Sequence, residues 1–212
     1  MSVKKPVLPG NADSADDRRV SHVRALFERS ASLKREVSEH HAQTLVTIAR
    51  ALAESLSAGG KVLFCGNGGS AADAQHLAAE LLIRLRPEAN RIPLPALSLA
   101  ADVSSLTACS NDYDYDSYFE RLVQALGRPG DILVGISTSG RSMSVVRALR
   151  AAREKQMVTV GLLGGDGQPA LSECDLALLV PSSETGRIQE CHITAGHAVM
   201  ELVEAYCCDY PI

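Results

Sequence analysis

The chain has 212 residues, 46% of them hydrophobic and 22% charged, enough for one α/β domain with a substantial core and too few for two large ones. A net charge of −4 with no run of Lys and Arg excludes general nucleic-acid binding, which needs clustered cations to displace phosphate counterions. No apolar stretch approaches the roughly 18 to 20 residues that span a bilayer, so no membrane association is expected. Cys65, Cys109, Cys174, Cys191, Cys207 and Cys208 show no CxxC spacing and follow no secretory signal, which predicts reduced thiols in a cytoplasmic protein.

Residues 1 to 15, with Pro6, Pro9 and Gly10 among small polar residues, read as a flexible tail, and residues 16 to 212 as the single domain. From Asp16 to Ser57, Val20, Val23, Leu26, Phe27, Leu33, Val37, Leu45, Ile48, Leu52 and Leu56 recur at helical spacing. Gly59-Gly60 ends that run, and charges between Lys34 and Glu39 allow a break into two helices. A helix this long carries an apolar face that needs covering, and association of subunits is one way to cover it.

After Gly60 the rhythm changes to short apolar or β-branched runs alternating with helical patterns, the signature of a parallel sheet. Strands are predicted at Lys61 to Cys65, Pro95 to Leu99, Asp131 to Ser137, Met157 to Leu163 and Asp175 to Val180. Helices are predicted at Ser70 to Arg86, Asp102 to Cys109, Asp116 to Leu126, Ser142 to Lys155 and from Gly186 or Arg187 to Cys208.

In such a sheet, ligands sit at the carboxyl ends of the strands, where loops and helix N-termini converge. Two loops there carry polar groups. Gly66-Asn67-Gly68-Gly69-Ser70 joins a strand to a helix, and its glycines let backbone N–H groups approach an anion, although it has neither the GxGxxG spacing nor the Lys of a nucleotide loop. Ser137-Thr138-Ser139-Gly140-Arg141-Ser142 offers four hydroxyls and a helix start, a cradle for a phosphate monoester or an ordinary capped turn. His76 and Glu80, four apart, project from nearly the same side of the first helix. The last helix adds Gln189, His192 and His197, among which spacing alone selects no ligand set.

The ordered series Gly66 to His76, Asn111-Asp112-Tyr113, Ser137-Thr138-Ser139-Gly140 and Arg187-Ile188-Gln189-Glu190 resembles the sugar isomerase (SIS) domain family and, within it, the phosphoheptose isomerases, from about residue 20 to residue 207. The resemblance implies a three-layer αβα SIS domain with a five-stranded parallel sheet, Rossmann-like or flavodoxin-like, preceded by a long helical segment. It implies a homotetramer with active sites between subunits. The implied reaction is the ketose-to-aldose conversion of D-sedoheptulose 7-phosphate to D-glycero-D-manno-heptose 7-phosphate through an enediol, supplying heptose for bacterial surface glycans without a redox cofactor.

Carried over by residue, the resemblance implies substrate contacts at Asn67, Gly68, Ser70, Arg84, Asp102, Ser137, Thr138, Ser139, Ser142 and Gln189. It implies one zinc ion per subunit on His76, Glu80, Gln189 and His197, with Glu80 and His197 as the acid/base pair. A carboxylate and an imidazole are suited to the proton transfers of such a reaction, and imidazole and carboxylate ligands suit zinc, whereas a Gln amide is an unusual ligand. Arg141 and the pair Met143-Ser144 depart from better-known members, which have Asn at the second of these two positions. Two alternatives remain: an isomerase of another ketose phosphate, and a non-catalytic SIS protein that binds a partner such as a replication initiator. Relatives of the second kind lack the Glu and the second His present here as Glu80 and His197.

Overall fold

The computed structural model describes residues 12–208 apart from Ala89. Five parallel strands form one sheet in the order β2-β1-β3-β4-β5: β1 Val62–Gly66, β2 Ala96–Ser98, β3 Ile132–Ser137, β4 Val158–Gly164 and β5 Leu176–Val180. This is the flavodoxin-like order, in which the chain reverses direction across the sheet between β1 and β3. The helices are α1 Ala12–Ser57, α2 Gly69–Leu82, α3 Val103–Asp112, α4 Tyr118–Leu126, α5 Met143–Glu154 and α6 Thr185–Cys208. Each predicted strand is present to within a residue or two at each end.

Alternation along the strands divides the core into two layers. Val62, Phe64, Ile132, Val134, Ile136, Val160 and Leu162 face α1, α2 and α6. Leu63, Cys65, Leu133 and Leu163 face the other way, toward Tyr118, Phe119 and the Val145, Ala148 and Leu149 face of α5. Both faces of the sheet are thus buried, the condition under which all-parallel sheets are stable. At the amino-terminal edge, the buried carboxylate of Asp131 accepts from the Lys61 backbone and ammonium and from the Arg128 N–H.

Three expectations change. The first helix is unbroken: between Lys34 and Glu39 the charges at Arg35, Glu36 and Glu39 are exposed while Leu33 and Val37 stay buried, so the apolar stripe continues beneath them. It begins at Ala12, four residues inside the expected tail; residues 1–11 lie outside the described residues. It ends where Gly59 takes φ +85° and the Gly60 N–H bonds back to the Ser55 carbonyl. At 1.5 Å per residue α1 is about 70 Å long, and Val20, Val23 and Phe27 on its first half are exposed. The third change is that α2 stops at Leu82, not Arg86, because tertiary contacts take the hydrogen bonds that would extend it: the Leu85 N–H goes to the Glu204 carboxylate and the Leu81 carbonyl to Arg91.

Candidate active site

Helices α2 and α6 run side by side in the same sense, and glycines permit their close approach. A Cβ at Gly196 would stand 2.7 Å from the Leu77 side chain, and one at Gly69 would meet the Gln189 carboxamide. This packing brings His197 of α6 to His76 of α2, with 2.8 Å between their Nε2 atoms and the rings edge-on. Glu80, one turn along α2, places Oε1 3.3 Å from the same His76 nitrogen. Among the described residues His76, Glu80 and His197 form the one group of three His, Cys, Asp or Glu side chains placed to share a metal ion, with ligand atoms all within 4.8 Å of one another.

The donor set and spacing fit a zinc ion. Tetrahedral zinc with bonds of about 2.0 to 2.1 Å separates neighbouring ligand atoms by about 3.3 Å, the His76–Glu80 distance. The His76–His197 contact is shorter and is a hydrogen bond, so one ring carries its proton on Nε2. Binding a metal requires that ring to move the proton to Nδ1 and the two nitrogens to part by about 0.5 Å. A His2Glu set leaves at least one coordination position for a further ligand.

The other polar groups converge at the reversal point between β1 and β3. Ser137 ends β3, and its hydroxyl accepts from the Gly140 N–H and donates to the Ser142 hydroxyl. Ser139 accepts from the Arg141 N–H. Ser142 precedes α5 without capping it through its side chain, leaving its hydroxyl and the positive end of the α5 dipole directed to the loop. Arg141 pairs at the surface with Asp166. From β1, Asn67 reaches across: its amide donates to Ser144 on α5 (2.9 Å) and its carbonyl oxygen accepts from the Tyr115 hydroxyl (2.5 Å).

A sequence model of the SIS domain matches residues 26–164. Phosphoheptose isomerases from Pelodictyon phaeoclathratiforme and Roseiflexus sp. are 53% and 54% identical to the chain over 182 and 178 residues, covering 84% of it in each case and 86% and 89% of the relatives. The chain belongs to the phosphoheptose isomerase family. Solved family members from Neisseria gonorrhoeae and Francisella tularensis superpose with TM-scores of 0.82 and 0.84 at 42% and 35% identity, covering 87% and 88% of this chain and 98% of each of theirs.

In the structure the candidate residues fall into separate groups. His76, Glu80 and His197 meet. Ser137, Thr138, Ser139 and Ser142 share one loop, with Asn67 beside it. Gly68, at φ +56°, precedes α2, and Ser70 is buried in the first turn of α2. Gln189 does not join the metal cluster within its own chain. Its carboxamide lies at Gly69, and eight residues of α6 separate it from His197, about 12 Å along the axis. Arg84 lies beyond the far end of α2, bonded to the Pro87 carbonyl. Asp102 caps α3, accepting from the N–H groups of Ser104 and Ser105; the Ser105 hydroxyl first, and then these N–H groups, hold its carboxyl below the usual range.

Tyr115 and Ser144 are the residues that motif reading did not assign, because their role is to hold another side chain. Together they fix which way the Asn67 amide points. Tyr115→Phe removes one of these bonds, worth about 0.5 to 1.5 kcal/mol, and is expected to lower kcat/KM about 3- to 10-fold in steady-state assays with the melting temperature little changed.

His192 has a structural role. It is fully buried, its Nε2 bonds the Leu163 carbonyl at 3.1 Å and its Nδ1 has no partner. Burial pushes its pKa down from 6.5 to about 4. Between those values the unfolded chain binds a proton that the folded chain does not, so stability is lost as pH is lowered through that window. The full shift corresponds to about 3 kcal/mol. His192→Gln, which keeps a donor for Leu163, is expected to lose less stability than the wild type by about that amount when denaturant midpoints at pH 7 and pH 4 are compared.

Proposed function

We propose that the chain interconverts D-sedoheptulose 7-phosphate and D-glycero-D-manno-heptose 7-phosphate in the cytoplasm, for heptose biosynthesis. The observation that carries this reading is the meeting of His76, Glu80 and His197 from two helices, in a chain 53% and 54% identical to two relatives named phosphoheptose isomerase. The phosphate is held by Ser137, Thr138, Ser139 and Ser142, which turns remote binding energy into alignment of C1 and C2. Glu80 and His197 share the proton transfers, one removing a proton from C1 of the ketose and the other delivering one to C2 of the enediol. Asn67, Ser70 and the Gly68 backbone bind the sugar. A zinc ion on His76, Glu80 and His197 would polarise the carbonyl and stabilise developing negative charge.

The site is completed between subunits of a homotetramer. His76 is half exposed, with 47% of its side chain accessible, and seven residues of α2, about 10 Å, separate it from the loop end of the helix. The reactive groups and the phosphate cradle of one chain therefore lie at different places along α2. A second copy supplies the missing half, and with it Gln189 as the fourth ligand and Arg84 as a charge for the substrate. The exposed Val20, Val23 and Phe27 of α1 form part of the subunit contact.

Purified protein incubated with sedoheptulose 7-phosphate should form the aldose, followed by NMR, and should lose this activity with a chelator and regain it with zinc. Absence of product under every condition would point to another ketose phosphate or to a partner-binding SIS protein. Activity indifferent to chelation would remove the metal from the reading.

A further inference from the structure

Glu204 lies on α6 two turns beyond His197 and is 1% exposed. Its carboxylate receives three donors from the segment that follows α2: the Leu85 N–H at 3.0 Å, Arg91 Nε at 2.8 Å and Arg86 Nε at 3.4 Å. The Arg91 side chain is itself 2% exposed, and the rest of its guanidinium is directed at backbone. Nη1 donates to the carbonyls of Leu81 and Ile92, and Nη2 donates to the carbonyl of Glu80. Glu80 and Leu81 are in the last turn of α2, whose carbonyls have no partner within the helix, so Arg91 caps that end with a buried charge.

A buried pair of this kind is costly to desolvate and seldom adds stability over an apolar replacement, which makes its placement informative. It joins the backbone of Glu80 on α2 to the helix that carries His197. From these contacts we infer that Arg91 and Glu204 are positioning residues for the metal and proton-transfer site: they set the register of the last turn of α2 against α6 and thereby the separation of the Glu80 carboxylate from His76 and His197. Lys at position 91 keeps the charge but cannot reach Glu204 and three carbonyls at once, because an ammonium lacks the planar fork. Gln at position 204 keeps the shape but removes the charge that holds Arg91.

This inference rests on the proposed function, and the test separates the two. Zinc affinity of the full chain is measured by competition with a chromophoric chelator, alongside kcat and KM for sedoheptulose 7-phosphate, in wild type, Arg91→Lys, Glu204→Gln and the control Asp131→Asn. The control weakens a buried cluster of Asp131, Lys61 and Arg128 that shares no hydrogen-bond partner with Arg91 or Glu204 and reports what general destabilisation does. Arg91→Lys and Glu204→Gln are expected to weaken zinc binding about 10-fold or more, the size of effect seen when partners that orient metal ligands are lost, and to lower kcat with KM changed less than about twofold. Asp131→Asn should lower the melting temperature while keeping zinc affinity and kcat. Zinc affinity and kcat unchanged in both variants, or lowered equally in the control, would overturn the inference. Wild type that neither binds zinc nor turns over would overturn the functional reading first, and this inference with it.

Discussion

Glu80→Gln is expected to lower turnover about 10²- to 10⁴-fold, the range for loss of a positioned proton-transfer group. The amide has nearly the shape of the carboxylate and can still lie against His76, so packing changes little. It cannot accept a proton from carbon, and it is a neutral, weaker ligand for a metal. Among the described residues the polar partner of the Glu80 side chain is His76 at 3.3 Å, so the variant should melt close to wild type. The paired measurements are steady-state turnover and thermal unfolding of the same preparation. Activity within threefold of wild type would remove Glu80 from the chemistry, whereas a large fall in melting temperature would assign it to structure instead.

Gly140→Ala should be nearly as severe, by a different route. Gly140 has φ +68°, a conformation that costs an L-residue roughly 1 kcal/mol or more, and a Cβ there would run into the backbone of Gly167. Backbone cannot rotate aside, so the 137–142 loop must shift away from the turn at Gly167. That shift breaks the Ser137–Gly140 bond and displaces the Ser142 hydroxyl from the start of α5. The expected result is a kcat/KM lowered about 100-fold, carried mainly by a higher KM, because the loop is proposed to hold the remote phosphate and not the reacting carbons. A fall confined to kcat would mean that the loop does not hold the phosphate.

Much of this architecture was legible from local pattern. Short apolar runs between helical stretches marked all five strands, because a parallel strand buried on both faces must be apolar along its length. The glycine pair at 59 and 60 marked the end of α1, since few other residues take positive φ cheaply. The polar loops were legible because hydroxyls and glycines next to a helix start have a direct physical use. Less legible were the ends set by distant partners. Helical spacing continues as far as Arg86, yet the Leu85 N–H is taken by Glu204, more than a hundred residues away in the chain.

The same distinction applies to the site. Residue spacing by itself determined that His76 and Glu80 share a side of one helix, and the family resemblance added His197 and Gln189 as their companions. Only the packing of α2 against α6 decided that His197 reaches His76 while Gln189 stays at Gly69, since the axial rise of a straight helix keeps residues eight apart from meeting at one point. Tyr115, Arg91 and Glu204 had no signal in the sequence, because each acts through contacts with distant segments that leave no periodicity or motif. Sequence therefore determined the layers, the strand order's raw elements and the kinds of chemistry available. Tertiary structure decided which of those groups meet, because helix crossing and buried hydrogen bonds are properties of pairs of segments and not of either one alone.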